Sequence, residues 1–386
     1  MWLSLLMPAL AGDLSWYALP NASYDSDDGL GFGARGEIAK LSEGAEPYLW
    51  AVTMQGFASF KGYQFGRVTV DHTRVGRARI TGQVQWRQWK NDGYWGIGNG
   101  TLRERAFVGT FDADDPRRKR YRYTLTSPFV HVALRYPVLS RVDLFGAVSV
   151  KWSAVDPWPG SVLEEQRPYG MEGGLTTPVT LGVLYDSREP EIAPRKGAFL
   201  EASWRVAPNF GGEAGGWMGP MASARGFGSV GPVTFAGRVV GEWLIGKVPF
   251  YEQVHWGGLV PISGFGGFET LRGLRFGRLR APGKAIANGE VRWVVVEHGL
   301  GSRTLGWELS PFVDVGTVWG AGEDRTAPPP SNPLHLGAGG GLRLILDKTF
   351  VGRVDYAAAE DPVLEPDGSV TRGWTTGFYL TFGHAF

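Results

Sequence analysis

Residues 268–276 read Phe268-Glu269-Thr270-Leu271-Arg272-Gly273-Leu274-Arg275-Phe276, inside a long glycine-rich segment that separates two series of alternating residues. In the series that follows, polar residues alternate with apolar ones, as in extended strands with one polar and one apolar face. The polar face carries Asn288, Glu290, Arg292, Asp314 and Arg343, and it is shared by Phe312 and by the glycines Gly316, Gly337, Gly339 and Gly341. Exposed strands favour β-branched residues over glycine, so these glycines indicate space left for another segment.

This pattern predicts an all-β protein, folded as a transmembrane antiparallel β-barrel. The apolar faces would contact lipid and the polar faces would line the lumen. Residues 246–284 would then form a long loop that folds back into the lumen. We expect Arg272 to lie close to Asp314, because a guanidinium removed from water requires a carboxylate partner.

The clearest alternation covers residues 77–87. Its polar set is Arg77, Arg79, Thr81, Gln83, Gln85 and Arg87, and its opposite set is Ala78, Ile80, Gly82, Val84 and Trp86. An arginine that faces lipid at mid-depth costs about 2–4 kcal/mol. We therefore expect the whole polar set, and Arg292 likewise, to face the lumen.

Length and composition agree with a single barrel. At about ten residues per crossing, about sixteen strands would use nearly the whole chain, with the barrel over residues 29–386. Apolar residues make up 43% of the chain and charged residues 20%. Beyond the N-terminus there is no run of about eighteen apolar residues, so membrane-spanning helices are excluded. The aromatic content of 13%, including 16 Trp, suits the interfacial girdles of a barrel; an aromatic-rich soluble β protein is the alternative.

Several functional classes are disfavoured. A net charge of +1 argues against a nucleic-acid binder. The chain has no cysteine, which excludes disulfides, thiol chemistry and cysteine-based zinc sites. It also lacks the serine-hydrolase elbow, the Walker loop and the His-Glu-x-x-His motif. We therefore expect no enzyme activity, no cofactor and no metal site.

Short motifs, in order along the chain, resemble those of one family. Leu271-Arg272-Gly273-Leu274 resembles the Val/Ile-Arg-Gly-Phe/Tyr motif in the sixth external loop of the bacterial surface antigen superfamily, the BamA, TamA and FhaC type of outer-membrane barrel. Phe312, Asp314 and Gly316 match its Phe-x-Asp-x-Gly motif, and Gly337 and Gly339 match its Gly-x-Gly motif. Residues 185–190, Tyr-Asp-Ser-Arg-Glu-Pro, are similar to its Tyr-Asp-Thr-Arg-Asp-Asn-Pro turn. Leu274 departs from the family, which has an aromatic residue there.

The resemblance implies a location in the bacterial outer membrane and a role in membrane-protein insertion, protein translocation or transport. It also implies that the loop motif binds the strand motifs inside the lumen. The partners expected are outer-membrane lipid and lipopolysaccharide, an unfolded protein client, and a companion that carries polypeptide-transport-associated (POTRA) domains. The cargo, the oligomeric state and the opening of a seam between the first and last strands remain open.

The two ends of the chain carry their own signals. Residues 1–11 fit the remnant of a secretory signal peptide, and residues 12–28 would be a short extension that is too small for a POTRA domain. The chain ends in a strand whose outward set would include Phe378, Phe382, His384 and Phe386. A terminal Phe preceded by alternating hydrophobic and aromatic residues resembles the signal by which outer-membrane barrels are recognised for insertion, which assigns that role to Phe382, His384 and Phe386.

Two functional alternatives stay open. About sixteen strands can enclose an aqueous channel, so a passive pore for small solutes is the first. The second is a structural or surface-interaction barrel that presents its loops to a partner. Strand boundaries between residues 101 and 137 are not fixed by the pattern.

Overall fold

The structure, a computed structural model, describes residues 10–11, 13–25, 28–107, 116–300, 303–320, 333–346 and 350–386. Most of this part of the chain is β-strand. Its helices are α1 (Val162–Gln166) and two 3-10 turns, Arg105–Phe107 and Pro116–Tyr121. No helix in these ranges has both the length and the apolar character needed to cross a membrane. The all-β prediction is confirmed.

The strands run in chain order around one large antiparallel sheet. The strands of the first half are β1 (Leu10–Ala11), β2 (Leu14–Asp25), β3 (Gly29–Ser42), β4 (Ala45–Ser59), β5 (Tyr63–Val75), β6 (Ala78–Gly93), β7 (Arg103–Glu104), β8 (Arg122–Thr126), β9 (Phe129–Leu139), β10 (Val142–Pro157), β11 (Gly174–Thr176) and β12 (Val179–Asp186). Those of the second half are β13 (Gly197–Ala207), β14 (Trp217–Val230), β15 (Val233–Trp243), β16 (Ile245–Gly246), β17 (Gly283–Leu300), β18 (Arg303–Trp319), β19 (His335–Leu346), β20 (Phe350–Glu360), β21 (Val363–Leu364), β22 (Val370–Thr371) and β23 (Trp374–Phe382). The segments β7, β21 and β22 form a separate small sheet, and the other twenty belong to the large one.

Some strand segments are parts of one crossing. β8 and β9 both pair with β6 and β10 and are separated by a break at Ser127 and Pro128. Proline cannot donate to a ladder, which explains the break. The number of segments therefore exceeds the number of crossings, and the expected count of about sixteen stays a prediction.

The two faces of the sheet have opposite chemistry. Facing outward, exposed apolar side chains recur along the strands: Val130, Val132, Leu134, Leu144, Val148, Val150, Leu181, Val183, Leu200, Val239, Trp293, Val313 and Leu336. Facing inward, Arg87, Asn288, Glu290, Arg292 and Asp314 are buried. Water-soluble proteins show the reverse distribution, so the outer face is built to contact hydrocarbon.

The sheet begins earlier than expected. β2 pairs with β3 over its whole length, from Leu14↔Lys40 to Asp25↔Gly29. The expected extension over residues 12–28 therefore contributes a strand to the wall, and the boundary at residue 29 is too late. Pro20 and Asn21 interrupt the sequence pattern of this strand, but an edge strand tolerates proline because one row of its N–H groups has no partner.

The expectation that Arg77 faces the lumen is wrong. Arg77 lies in the turn between β5 and β6 and is exposed. Its guanidinium is 5.3 Å from the ring centroid of Tyr136, which is on the outer face. At the end of a strand the alternation no longer determines which way a side chain points. A cation beside an outward-facing tyrosine suits the interface between lipid and water. Arg87 and Arg292 point inward, as expected.

The first and last strands of the large sheet are not joined by a ladder in the described part of the chain. β2 pairs with β1 and β3, whereas β23 pairs with β20. β1 forms a short hairpin on the free edge of β2, with Leu10↔Ser15 and Ala11↔Leu14. β2 and β23 lie next to each other without a ladder between their described residues, and we call the line between them the seam.

The two ends of the sheet differ. Short turns join β3 to β4, β5 to β6 and β9 to β10 at the short-turn end. Long connections lie at the opposite end, the long-loop end, and include residues 158–173 and 247–282. There the small sheet joins two connections, because β7 pairs with β21 in parallel and β21 pairs with β22. The long-loop end is therefore covered by connections that bind one another.

Candidate functional site inside the barrel

The loop of residues 247–282 connects β16 to β17 without forming a strand or a helix. Both Gly246 and Lys284, the expected limits of this loop, lie in strands. Trp256, Phe265, Leu271, Leu274 and Leu279 of the loop are fully buried and cluster with inward residues of the wall. Irregular backbone is tolerated at membrane depth only inside protein or a watery cavity, which agrees with this packing.

Arg272 is the most strongly bound residue of the loop. Its Nε and Nη2 donate to the two carboxylate oxygens of Asp314 at 2.7 and 2.8 Å, and its backbone N–H donates to Asp314 Oδ2 at 3.0 Å. Its Nη1 donates to Glu290 Oε1 at 2.5 Å and lies 3.4 Å from Asp355 Oδ2. All four side chains are buried. This forked geometry is the strong form of the arginine–carboxylate pair.

Phe312 supplies a further contact with the same guanidinium. The Arg272 Cζ atom lies 3.4 Å from the centroid of the Phe312 ring. Phe312 and Asp314 are two residues apart on β18 and share its inward face, so one strand provides both the ring and the carboxylate. A cation over an aromatic face gains more when it is desolvated, as it is here.

The inward glycines make room for the loop. A Cβ at Gly337 would lie 2.2 Å from the carbonyl oxygen of Arg272. A Cβ at Gly316 would lie 2.7 Å from Phe265 of the loop, whereas one at Gly339 would meet the wall, at 2.1 Å from the Tyr356 carbonyl oxygen and 2.8 Å from the Phe312 ring. The structure therefore brings the sequence-predicted residues Phe312, Asp314, Gly316, Gly337 and Gly339 around the loop motif.

Gly273 and its neighbours attach the loop to the last strands. Gly273 N–H donates to the Tyr379 hydroxyl at 3.0 Å, and its carbonyl accepts from Thr375 Oγ1 at 2.8 Å. Gly273 has a φ of +91°, and a Cβ there would lie 2.5 Å from the backbone of Ala358, so only glycine fits. Leu274, the departure from the family motif, is fully buried in the apolar cluster of the loop.

A network of charges surrounds the Arg272 site. Arg292 Nε donates to Glu290 Oε2 at 2.9 Å, and Arg343 Nη1 donates to Asp355 Oδ1 at 2.5 Å. Sequence reasoning placed Arg292 and Arg343 on the inner face but missed Asp355. Arg353 and Asp355 are two residues apart on β20, and this alternation could have indicated that Asp355 faces inward.

A second group of contacts, missed from sequence, holds the outer part of the loop. Arg278 donates to Asp361 Oδ1 at 2.9 Å and to the side chain and carbonyl of Thr101 at 2.7 and 2.6 Å. Arg103 binds the other oxygen of Asp361 at 2.7 Å. We call Thr101, Arg103, Arg278 and Asp361 the outer latch, because they connect three long connections at the long-loop end.

Beside the outer latch, Arg105 pairs with Glu365 at 2.7 Å near the small sheet. Hydrogen bonds from Arg105 and Thr371 to Glu365 lower the pKa of this carboxyl below its ordinary value. Both groups lie in exposed connections, so the contribution of this pair to stability is small.

The last residues do not follow the expected outward pattern. β23 ends at Phe382, whose side chain lies outside the described residues, and the backbone bends at Gly383. Arg292 Nη2 donates to the Phe386 carbonyl at 3.2 Å, and the Phe386 ring centroid lies 5.0 Å from the Arg238 guanidinium and 5.3 Å from that of Arg292. Phe386 thus packs against inward arginines, because the bend at Gly383 ends the alternation. The buried Nδ1 of His384 has no hydrogen-bond partner in the described part of the chain.

Within the described residues, no group of three or more His, Asp or Glu side chains is placed to hold a metal ion. The chemistry of the Arg272 site is the binding of one segment of this chain to another.

Comparisons with known proteins place this geometry in a family. The model of the Omp85 superfamily domain matches residues 116–386. A comparison with curated protein sequences found no match.

Solved structures of similar fold include outer-membrane barrels of that type. BamA from Haemophilus ducreyi lacking POTRA domains 1–3 has a TM-score of 0.55 and 12% identity, over 95% of this chain and 70% of the other. CdiB from Acinetobacter baumannii has a TM-score of 0.54 and 15% identity, over 96% of this chain and 60% of the other. CdiB from Escherichia coli has a TM-score of 0.57 and 12% identity, over 96% of this chain and 64% of the other. This chain thus spans less than two thirds of the length of the CdiB chains.

The match to the family model covers more than half of the chain and includes the loop motif and the strand motifs. The antiparallel barrel and the outer-membrane location follow from it together with the similar structures. The chain belongs to the Omp85 superfamily and is an outer-membrane β-barrel.

Proposed function

We propose that this barrel acts on unfolded polypeptides at the outer membrane, in membrane-protein insertion or protein translocation. The observation that carries the proposal is the seam. Consecutive crossings of the large sheet are joined by ladders, but β2 and β23 are not, in the described part of the chain. A client strand could add to either of these edges, since unpaired backbone groups are a template for strand addition.

The occupied lumen supports the same function. The loop of residues 247–282 packs against the inner wall through Arg272, and the outer latch closes the long-loop end above it. A polypeptide that crosses or enters the membrane here would therefore use the wall instead of a wide axial channel. Pro20 in the middle of β2 and the short hairpin with β1 both weaken closure of the seam.

The partners proposed are an unfolded client, outer-membrane lipid with lipopolysaccharide, and a companion that carries POTRA domains. Co-purification of the native chain from outer membranes tests the companion. Recovery of the barrel without any POTRA-bearing protein contradicts that part of the proposal.

A tether across the seam tests the function. Ala22 on β2 and Thr376 on β23 are both exposed on the outer face near the long-loop end. The chain has no cysteine, so in the double variant A22C/T376C a cleavable bis-maleimide links only the two introduced thiols. Proteoliposomes with the untethered barrel are expected to accelerate the folding of a urea-unfolded eight-stranded outer-membrane barrel several-fold over empty liposomes. The tether should abolish this gain, and its cleavage should restore it.

The matched control tethers two strands that are already paired. Ala202 on β13 and Ala222 on β14 are register partners and are also exposed outward. The A202C–A222C tether should leave client folding unchanged. Equal client folding with the seam open and tethered contradicts the proposal.

A passive pore is the second candidate, favoured by a cavity of about 480 Å³ inside the wall. Planar-bilayer recordings separate the two functions. A large, steadily open conductance that does not depend on the seam tether supports the pore. Low conductance together with tether-sensitive client folding supports action on polypeptides.

A further inference from the structure

The cavity lies in the half of the lumen formed by β4 to β14, away from the Arg272 site. Its volume is about 480 Å³, and it is bounded by inward side chains of these strands and by residues 252–269 of the loop. Small-molecule sites in proteins fall between about 300 and 1,000 Å³, so the cavity is large enough for a compact ligand.

The lining of the cavity carries an excess of positive charge. Its cationic side chains are Arg67, Arg79, Arg87, Arg135, Lys151, Arg188, Arg205 and Arg225. Its carboxylates are Asp71, Glu191, Glu201, Glu252 and Glu269. Eight cations and five anions therefore line the cavity, and three of the cations pair with carboxylates outside the lining: Arg135 with Asp143, Arg188 with Asp186 and Arg205 with Glu242.

Most of these carboxylates are already bound. Asp71 and Glu191 both pair with Arg79, at 2.6 and 2.8 Å. Glu252 pairs with Lys151. The two others accept backbone N–H groups of the loop: Glu201 from Leu259 at 2.6 Å and Glu269 from Ser263 at 3.0 Å. They are held as acceptors for the loop, and they attract Arg67 and Arg225 only at longer range, without forming an ion pair with either.

Three arginines of the lining, Arg67, Arg87 and Arg225, form no ion pair with any described residue. Arg87 is only 7% exposed, and its buried Nε has no hydrogen-bond partner in the described part of the chain. The same holds for the Nε of Arg225. Their nearest aromatic contacts are weak, with Arg87 at 5.9 Å from the Phe276 centroid and Arg225 at 5.1 Å from that of Phe199. A buried guanidinium without a counter-charge is costly, and an anionic ligand would remove that cost.

At the short-turn end, residues that line the cavity are partly exposed, from which we infer that the cavity opens there. Arg79 and Glu191 lie at this end with 19% and 33% of their side chains exposed. Glu191 belongs to the turn after the Tyr185-Asp186-Ser187-Arg188 motif, so this turn forms the rim of the opening. Toward the long-loop end, Trp256 and Leu259 of the loop are buried and close the cavity. In outer-membrane barrels the short turns face the periplasm.

We propose that this cavity is a binding site for a small polyanion that bears phosphate or carboxylate groups and enters from the periplasm. Arg87 and Arg225 bind its anionic groups, since the guanidinium fork matches the oxygens of both phosphate and carboxylate. Arg67, which donates to Gln55 Oε1 at 3.1 Å, adds a third positive charge. This site is independent of how the barrel acts on polypeptides.

Isothermal titration calorimetry of the purified full chain in detergent tests the proposal. The probes are inorganic pyrophosphate, citrate and chloride, compared at equal ionic strength. We expect one site that binds pyrophosphate or citrate at least tenfold more tightly than chloride. Tighter binding of pyrophosphate identifies a phosphate-bearing ligand, and tighter binding of citrate identifies a carboxylate-bearing one. Binding of neither probe more tightly than chloride overturns the proposal.

Variants assign the binding to the cavity. R87Q and R225Q should each weaken binding of the tighter probe at least tenfold. They should unfold at temperatures no lower than the native chain, because each removes a guanidinium that forms no ion pair, buried at Arg87 and half-buried at Arg225. Q83E adds a carboxylate to the same lining and should also weaken binding. R372Q, at an 82% exposed arginine outside the barrel, is the control and should bind as the native chain does. Equal affinity in R87Q, R225Q, Q83E and R372Q overturns the assignment.

Discussion

The guanidinium of Arg272 lies 3.4 Å from the ring centroid of Phe312 and also binds Asp314, which is two residues further along the same strand. A single inward face of β18 thus supplies an aromatic surface and a carboxylate to one loop residue. Because the arginine is removed from water on both sides, the contact is specific for a planar cation of this shape. Lysine could keep the charge but not the fork or the stacking.

Replacement of Arg272 by Ala should destabilise the barrel by about 3–5 kcal/mol, because Asp314 would remain buried without a counter-charge, whereas Glu290 would keep Arg292 and Arg343. R272K should recover only part of the loss. The midpoint of heat unfolding, read from the mobility shift on a gel, measures the effect. R372A, at an exposed arginine, is the control. Unchanged heat stability and unchanged conductance in R272A contradict the bracing role of Arg272.

Gly337→Ala should displace the loop from the wall. The added Cβ would meet the carbonyl oxygen of Arg272 at 2.2 Å, and overpacking of this kind costs about 1–3 kcal/mol. Gly340→Ala is the matched control on the same strand, because a Cβ there has no atom within 4 Å. Faster protease cleavage within residues 247–282 should appear in G337A alone. Equal cleavage of both variants would show that the close contact between Gly337 and the loop does not hold the loop in place.

Arg278→Ala should loosen the long-loop end without unfolding the wall. Arg278 connects Thr101 to Asp361, and its loss leaves the buried Asp361 carboxylate paired with Arg103 alone. We expect a higher rate of protease cleavage in residues 94–107 and more frequent conductance openings, at an unchanged midpoint of heat unfolding. R167A, which removes an exposed pair with Glu172, should change neither quantity. A lower unfolding midpoint in R278A would instead assign the outer latch to global stability.

Arginine introduced on the outer face should be costly in proportion to its depth. Val84 is exposed in the middle of β6, and Val75 is exposed at the short-turn end of β5. V84R should lower the free energy of unfolding by about 2–4 kcal/mol and V75R by about 0–1 kcal/mol, measured by equilibrium refolding into lipid vesicles. Equal costs at the two positions would mean that this face does not meet the hydrocarbon of the bilayer.

The direction of the strand faces could be predicted from sequence because alternation with a period of two is a local property. Arg87 and Arg292 follow it and point inward. The same rule failed at Arg77 and at the residues after Gly383, since a turn or a bend removes the constraint. It also missed β2, where Pro20 hides the pattern.

The candidate site could be predicted only in part. The pairing of Arg272 with Asp314 followed from the resemblance of both motifs and from the need of a buried cation for a carboxylate. The outer latch could not be predicted, because Arg278 and Thr101 are 177 residues apart and no local pattern relates them. The inward direction of Glu290 and Asp355 could be predicted, since both lie on faces that alternate in the sequence. Which carboxylate pairs with which arginine could not, because that depends on the stagger of the strands.

The small sheet of β7, β21 and β22 joins connections that are far apart in sequence at the long-loop end, which is the extracellular end of an outer-membrane barrel. An antibody against this surface would bind a discontinuous epitope, which exists only in the folded barrel. Linear peptides taken from either connection would be poor immunogens, and a nick in one of them would erase the epitope while the remainder of the chain stays intact.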